Sequence, residues 1–213
     1  MSSINLHPTF HYSQPEDYRF SHDSVFLARE IFELHHTALS RPSVRILDLC
    51  AGCGIVGLDL LFHLLKEAEF RGQIDFLEVQ GVYKDHFTEN VKRLKEHFPH
   101  QNPLLKWREE NYGSPLASVR YDFILSNPPY FLTEHGAQSP NQFKNRCRFF
   151  VDSGWRELIS FIKNSLTENG IAYFLVRDDL KILIEKNDLS EILFPFKIRG
   201  TWVAQIAPST AVK

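Results

Sequence analysis

Asn127, Pro128, Pro129 and Tyr130 close the apolar run "DFILS". An asparagine offers an amide oxygen and the following proline a carbonyl, while two prolines fix φ and hold both acceptors in one direction. An NH2 group has two hydrogens to donate, so two fixed acceptors would position its nitrogen for in-line attack on an electrophile. Tyr130 can stack on the planar group that carries the amine. As the nitrogen gains positive charge, oriented carbonyl dipoles stabilise the transition state more than the ground state, and no strong general base is required. These four residues are the candidate catalytic set.

A second group lies upstream in "ILDLCAGCGIVGLDL", residues 46–60, where Gly52, Gly54 and Gly57 satisfy G-x-G-x-x-G. Between a strand and a helix this spacing lets the backbone approach a ligand while the helix N-terminus faces it. Asp48 stands four residues before Gly52. A carboxylate there would repel a diphosphate but suits a ligand carrying an ammonium and a sulfonium. Glu78, in "DFLEVQ", ends the next apolar run, and its two oxygens match the two hydroxyls of a ribose. In "REENY", Asn111 or Glu110 could meet an adenine amino group. Cys50 and Cys53 form a C-x-x-C, but with only Cys147 besides them the chain lacks a second ligand pair, so they read as small space-filling residues of the glycine turn and no metal is expected.

The elements that must hold these groups are legible as short apolar runs: 44–49, 74–79, 121–127 and 171–177, with 104–107 weaker. Phe87, Val91, Leu94 and Phe98 share one helical face, as do Trp155, Leu158, Ile159, Ile162 and Leu166. Asp152 and Ser153 are candidate N-caps of the second helix and Gly170 its C-terminal glycine, while Asp178 and Asp179 can cap the next helix. "FPFKIRG" and "TWVAQIAP" read as a hairpin turning at Arg199-Gly200. Alternating strands and helices predict a doubly wound α/β sheet with its ligands beyond the carboxyl ends of the strands.

With 213 residues the chain fits one domain. A formal charge of −2 excludes the strongly basic balance of a dedicated nucleic-acid-binding protein. No secretory leader opens the sequence and no apolar run approaches about 20 residues, so a soluble cytoplasmic protein with no membrane partner is expected.

"DLCAGCGIVG", "FLEVQ" and "NPPY", in this order and each at a strand end, resemble the class I S-adenosylmethionine-dependent methyltransferases of the amino-methylating group. The resemblance covers most of the chain. It implies a Rossmann-like, mostly parallel seven-stranded sheet with helices on both faces, S-adenosylmethionine as cofactor, and Asp48 with the loop of Ala51, Gly52 and Gly54 around its methionine part. It further implies Glu78 at the ribose and NPPY at the target amine, and Val79, Asn111 and Asn127 complete the candidate cofactor-binding set.

"YRFSHDSVFLAREIF", residues 18–32, resembles the stretch preceding the first strand in bacterial methyltransferases of an adenine beside the tRNA valine anticodon. By that likeness Phe20 and Asp23 are further cofactor ligands, and residues 1–43 form a covering segment ahead of a core at 44–213. The plainer reading is an amphipathic helix capped by Ser21 or Asp23. Where such families often carry an alanine-arginine-histidine-glutamate run, this chain has "NRCRFF" at 145–150. Lys144, Arg146 and Arg148, interleaved with Phe143 and Phe149, make a candidate RNA contact strip beside Tyr130.

The expected activity is therefore N-methylation of an exocyclic amine, foremost adenine N6 in tRNA, by a monomer or homodimer. The alternatives are a release-factor glutamine, a ribosomal RNA guanine, or a non-catalytic module that retains the fold. A NAD-dependent oxidoreductase would leave NPPY unexplained.

Overall fold

The computed structural model describes residues 11–17, 19, 21–114, 119–132 and 139–207. The strands are β1 (Arg45–Leu49), β2 (Gln73–Glu78), β3 (Leu104–Glu109), β4 (Tyr121–Ser126), β5 (Leu166–Val176), β6 (Ile192–Ile198) and β7 (Thr201–Ile206). The helices are α1 (Asp23–Leu39), α2 (Ile55–Glu67), α3 (Tyr83–His97), α4 (Gln142–Arg148), α5 (Trp155–Ser165) and α6 (Asp178–Lys186).

The strands form one seven-stranded sheet in the order β3-β2-β1-β4-β5-β7-β6, in which only β7 runs antiparallel to its neighbours. Right-handed crossovers wind outward from β1 in both directions, so the order reverses between β1 and β4. There the following chain segments part, one up and one down, and leave a crevice. The central strands are covered on both faces, which explains their unbroken apolar runs. Ile46 and Phe123 pack under α1, α2 and α3, whereas Leu47 and Ile124 pack under α5 and α6, as the alternation of a strand requires. Helix α1 belongs to this same core, since Leu27, Ala28 and Ile31 are fully buried and the helix lies against α2.

The hairpin turns at Arg199 and Gly200 with φ of 49° and 91°, the two left-handed residues of a tight two-residue turn. The expected caps need correction. Helix α5 starts from Gly154 with no side-chain cap, because Asp152 is taken by Arg146 and Ser153 by Asn111. It ends at Ser165, and Gly170 lies in β5, where a Cβ would come 2.7 Å from the Tyr121 carbonyl. Helix α1 follows His22 with no side-chain cap, since the Asp23 carboxylate accepts from the Thr201 hydroxyl at 3.1 Å. Helix α6 starts from Arg177, with Asp178 and Asp179 in its first turn, where they complement the helix dipole.

Among the described residues no helix is long and apolar enough to cross a membrane.

Candidate functional site

Strands β1, β2 and β4 end side by side, and their first following residues open into one cavity. Ala51 and Gly52 after β1, Glu78 and Val79 at the end of β2, and Asn127 to Tyr130 after β4 all line it. The loop after β1 turns sharply, with Cys50, Gly52 and Gly54 all left-handed at φ of 58°, 52° and 79°. At Gly54 a Cβ would come 2.7 Å from the Phe87 ring, so packing as well as conformation requires glycine there. Gly54 therefore shapes the turn from behind and does not line the cavity.

Glu78 is 5% exposed and holds the loop in place: one oxygen accepts from the Gly52 amide at 2.8 Å, the other from the Gln80 amide at 2.9 Å. Burial raises its pKa, opposed by the amides of Gly52, Gln80 and Val79. Each oxygen has a further lone pair, so a diol can still be received. Asp48 sits one layer below. Fully buried, it accepts from the Gly57 amide at 2.8 Å and does not line the cavity. Burial lifts its carboxyl well above the ordinary range, against the Gly57 amide and helped by Glu78 nearby. Its other oxygen, Oδ1, has no hydrogen-bond partner.

At β4 the Ser126 hydroxyl donates to the Leu49 carbonyl at 2.6 Å, tying the NPPY strand to the strand that launches the glycine loop. The Asn127 amide is held from both sides, since Nδ2 donates to the Ser24 hydroxyl at 2.6 Å and the Tyr130 hydroxyl donates to Oδ1. Ser24 is buried on α1 and lines the cavity, which is how the amino-terminal helix reaches the site.

"NRCRFF" acts as a brace. The amides of Tyr130 and Phe131 donate to the Arg148 carbonyl, and the Phe150 amide donates to the Phe131 carbonyl, so the chain after NPPY is paired along the chain after α4. Arg146 lines the cavity and makes a bidentate ion pair with Asp152, at 2.8 Å for the closest contact. Its guanidinium, expected in the RNA strip, is thus engaged by a carboxylate. Lys144 and Arg148 lie outside the lining, Arg148 exposed and stacked over Phe131 and Phe149 at 5.3 and 5.8 Å from their centroids.

Asn111 and Glu110 differ in their surroundings. The Asn111 Oδ1 accepts from the Gly113 amide and the Ser153 hydroxyl, and Nδ2 donates to the Asp152 carbonyl, so this side chain is spent on the loop. Glu110 lines the cavity instead. Asp23 is buried against Thr201 and does not line it, and Phe20 lies outside the described residues.

Sequence reasoning missed Ser24, Gln80, Tyr83 and Cys147 as lining residues. Gln80 was open to inference as a residue just past a strand end. Cys147 had no such signal: α4 brings it to the Tyr83 hydroxyl at 3.0 Å, near Cys53. Burial raises all three thiols, Cys53 to about 12, so they stay protonated at neutral pH. Among the described residues no group of three His, Cys, Asp or Glu could hold a metal ion.

No family model matches the sequence. Among solved structures, TrmN from Thermus thermophilus superposes with a TM-score of 0.58 at 14% identity, over 86% of this chain and 48% of that one. The 16S rRNA N2 G1207 methyltransferase RsmC of the same organism, in complex with AdoMet and guanosine, gives 0.57 at 14% identity, over 91% and 44%. The fold is that of the class I methyltransferases.

Sequence relatives agree with the methyltransferase fold. A tRNA1(Val) (adenine(37)-N6)-methyltransferase of Bacteroides fragilis is 26% identical over 153 residues, 72% of this chain and 60% of the relative. That of Salmonella typhimurium is 26% identical over 131 residues, 59% of this chain and 48% of the relative. This chain thus spans 48% to 60% of the length of these relatives.

Proposed function

We propose that the protein is an S-adenosylmethionine-dependent N-methyltransferase whose acceptor is the exocyclic N6 amine of adenine in RNA, tRNA foremost. The observation that carries this reading is that Glu78 and Asn127 line one cavity at the crevice of the sheet. The residues present suit the cofactor. Glu78 has lone pairs left for a ribose diol, Leu77, Val79 and Phe150 offer apolar walls for an adenine, and Glu110 stands where its amino group would be met. Ala51, Gly52 and Ser21 surround the remaining end with small residues.

S-Adenosylmethionine supplies an electrophilic methyl group when bound. What the chain contributes is a held amine. Asn127 Oδ1 keeps a lone pair beyond the one the Tyr130 hydroxyl uses, and with the Pro128 carbonyl it can accept both amine hydrogens. Tyr130 stacks on the base, and the two carbonyl dipoles favour the positive charge that grows on nitrogen. The buried Ser24 hydroxyl accepts from Asn127 Nδ2 at 2.6 Å, which in this orientation leaves Oδ1 towards Tyr130 and the acceptor amine. The likeness to relatives named as tRNA adenine-N6 methyltransferases supports the choice of acceptor and, with it, a place in the cytoplasm where tRNA is found.

The test is incubation with methyl-labelled S-adenosylmethionine and, separately, total tRNA, ribosomal RNA, DNA and release factors from cells lacking the protein. Label recovered from tRNA as N6-methyladenosine is the expected result. Label in release factors would move the acceptor to glutamine, and label in ribosomal RNA guanine to N2. Binding of the cofactor with no labelled pool would refute catalysis on these acceptors.

A further inference from the structure

Two exposed arginines lie over rings at or next to the acceptor residues, and a third lies over the helix that holds Asn127. Arg177, at the end of β5, lies over the Tyr130 ring with its guanidinium carbon 4.9 Å from the centroid. Arg148 lies over Phe131, the next residue, at 5.3 Å. Arg199, in the β6–β7 turn, lies over Phe26 of α1 at 5.6 Å. The turn is joined to the site by short links. Asp23 holds Thr201 at 3.1 Å, and the adjacent Ser24 holds Asn127 at 2.6 Å.

Arg71, Arg93, Arg108 and Arg146 each have a carboxylate partner, whereas among the described residues no ion pair reaches Arg148, Arg177 or Arg199. Among these residues Arg29, Arg41, Arg120 and Arg156 also lack an ion pair, and Arg156 lies over Trp155 at 4.7 Å, so what sets Arg148 and Arg177 apart is their place beside NPPY. Asp178, next to Arg177, is used by the Trp202 indole at 2.8 Å and by Lys197 at 3.7 Å. In a chain of net charge −2, these are three guanidiniums without an ion pair, with the exposed Asp178 and Asp179 following Arg177.

We propose that Arg148, Arg177 and Arg199 form the track along which the nucleotides flanking the target base run as an unpaired RNA strand. The inference rests on the RNA reading above and gives it a surface. Exposed guanidiniums contact phosphates, and the rings beneath them hold the forks flat, an arrangement suited to a strand whose bases are splayed and stacked. The track differs from the strip expected from sequence. Arg146 is paired with Asp152, and Arg177 and Arg199 enter from elements distant in the chain.

The test uses the full chain, fluorescein-labelled bulk tRNA from cells lacking the protein, and affinity measured against KCl concentration. In Arg177→Gln/Arg199→Gln the slope of log affinity against log salt should flatten by about 0.7 to 0.9 for each arginine, with roughly tenfold or greater loss near 0.1 M salt. Arg177→Lys/Arg199→Lys should keep the slope, which separates charge from folding. S-Adenosylmethionine affinity by calorimetry should match wild type in both. Lys95→Gln, on the exposed face of α3, should bind tRNA like wild type. An unchanged slope in the glutamine variant, or an equal loss in Lys95→Gln, overturns the track while leaving the RNA reading intact if wild type labels tRNA. Wild type that neither binds nor labels tRNA overturns both.

Discussion

Glu78 and Asn127 line the same cavity yet answer to different partners, so removing them should give separable losses. Asn127→Ala should lower turnover by a factor on the order of 100 or more with the cofactor dissociation constant unchanged, because only the amine loses an acceptor. Glu78→Ala should weaken cofactor binding by about 1.5 to 3 kcal/mol, as loss of a charged hydrogen-bond acceptor does. Calorimetry and initial rates on both variants check this, and a joint loss in Asn127→Ala would remove it from its role. The buried carboxyls add a pH dependence. Asp48 is raised well above its ordinary value of 3.8 by burial, so from about that pH upward the folded state holds more protons than the unfolded and stability falls as pH rises towards the raised value. Asp48→Asn keeps an acceptor for the Gly57 amide without the charge. Its melting temperature should therefore gain on wild type progressively as pH rises through that window, and a constant gap would contradict the shift. The places of Glu78 and Asn127 at strand ends could be read from sequence because each stands at the end of a mostly apolar run. Asp48 and Asn111 could not be fully read, since what occupies them, the Gly57 amide and Ser153, depends on how remote turns fold back.

At the scale of elements, the central strands were legible from continuous apolar runs and the β6–β7 hairpin from its glycine. The end of α5 was not. A glycine five residues past the last helical position looks like a cap until the register of β5 places it against the Tyr121 carbonyl. The brace after α4 was equally hidden, because α4 has only seven residues, too few for a periodic signal, and the pairing of Phe131 with Phe149 is isolated. Its importance can be measured. Phe149 is 2% exposed, so Phe149→Ala should cost about 3 to 5 kcal/mol if the cavity does not collapse, and the loss should be concentrated near NPPY. Hydrogen exchange should speed up at the amides of Tyr130, Phe131 and Phe150, whose acceptors belong to the brace, more than at the β1 amides of the core. A uniform loss across both regions would show that the brace is no separate unit. Turnover should fall with it, because Asn127 and Tyr130 would no longer be held at a fixed distance from the glycine loop.

For the whole molecule, the order of the strands explains why residues 26 to 77 positions apart in sequence meet in one crevice: the Gly52–Glu78 and Ser126–Leu49 hydrogen bonds span 26 and 77 positions. The alternation of strands and helices predicted such a sheet, but not that α1 would join its core and supply Ser24. Because those long-range contacts converge on the cavity, a ligand there should stabilise the entire fold. At about 100 times its dissociation constant, S-adenosylmethionine should add roughly 2.7 kcal/mol by mass action. At about 2 to 4 °C per kcal/mol for a chain of this size, the melting temperature should rise by roughly 5 to 11 °C. Glu78→Ala, weakened by about 1.5 to 3 kcal/mol, should at the same ligand concentration keep about half of that rise or less. Asn127→Ala should keep nearly all of it, because its loss falls on the acceptor and not on the cofactor. A wild-type protein whose melting is indifferent to saturating cofactor would take the cofactor out of this cavity. A shift lost equally in both variants would instead merge the two halves of the site, and with them the separation of binding from transfer on which the assigned roles of Glu78 and Asn127 depend.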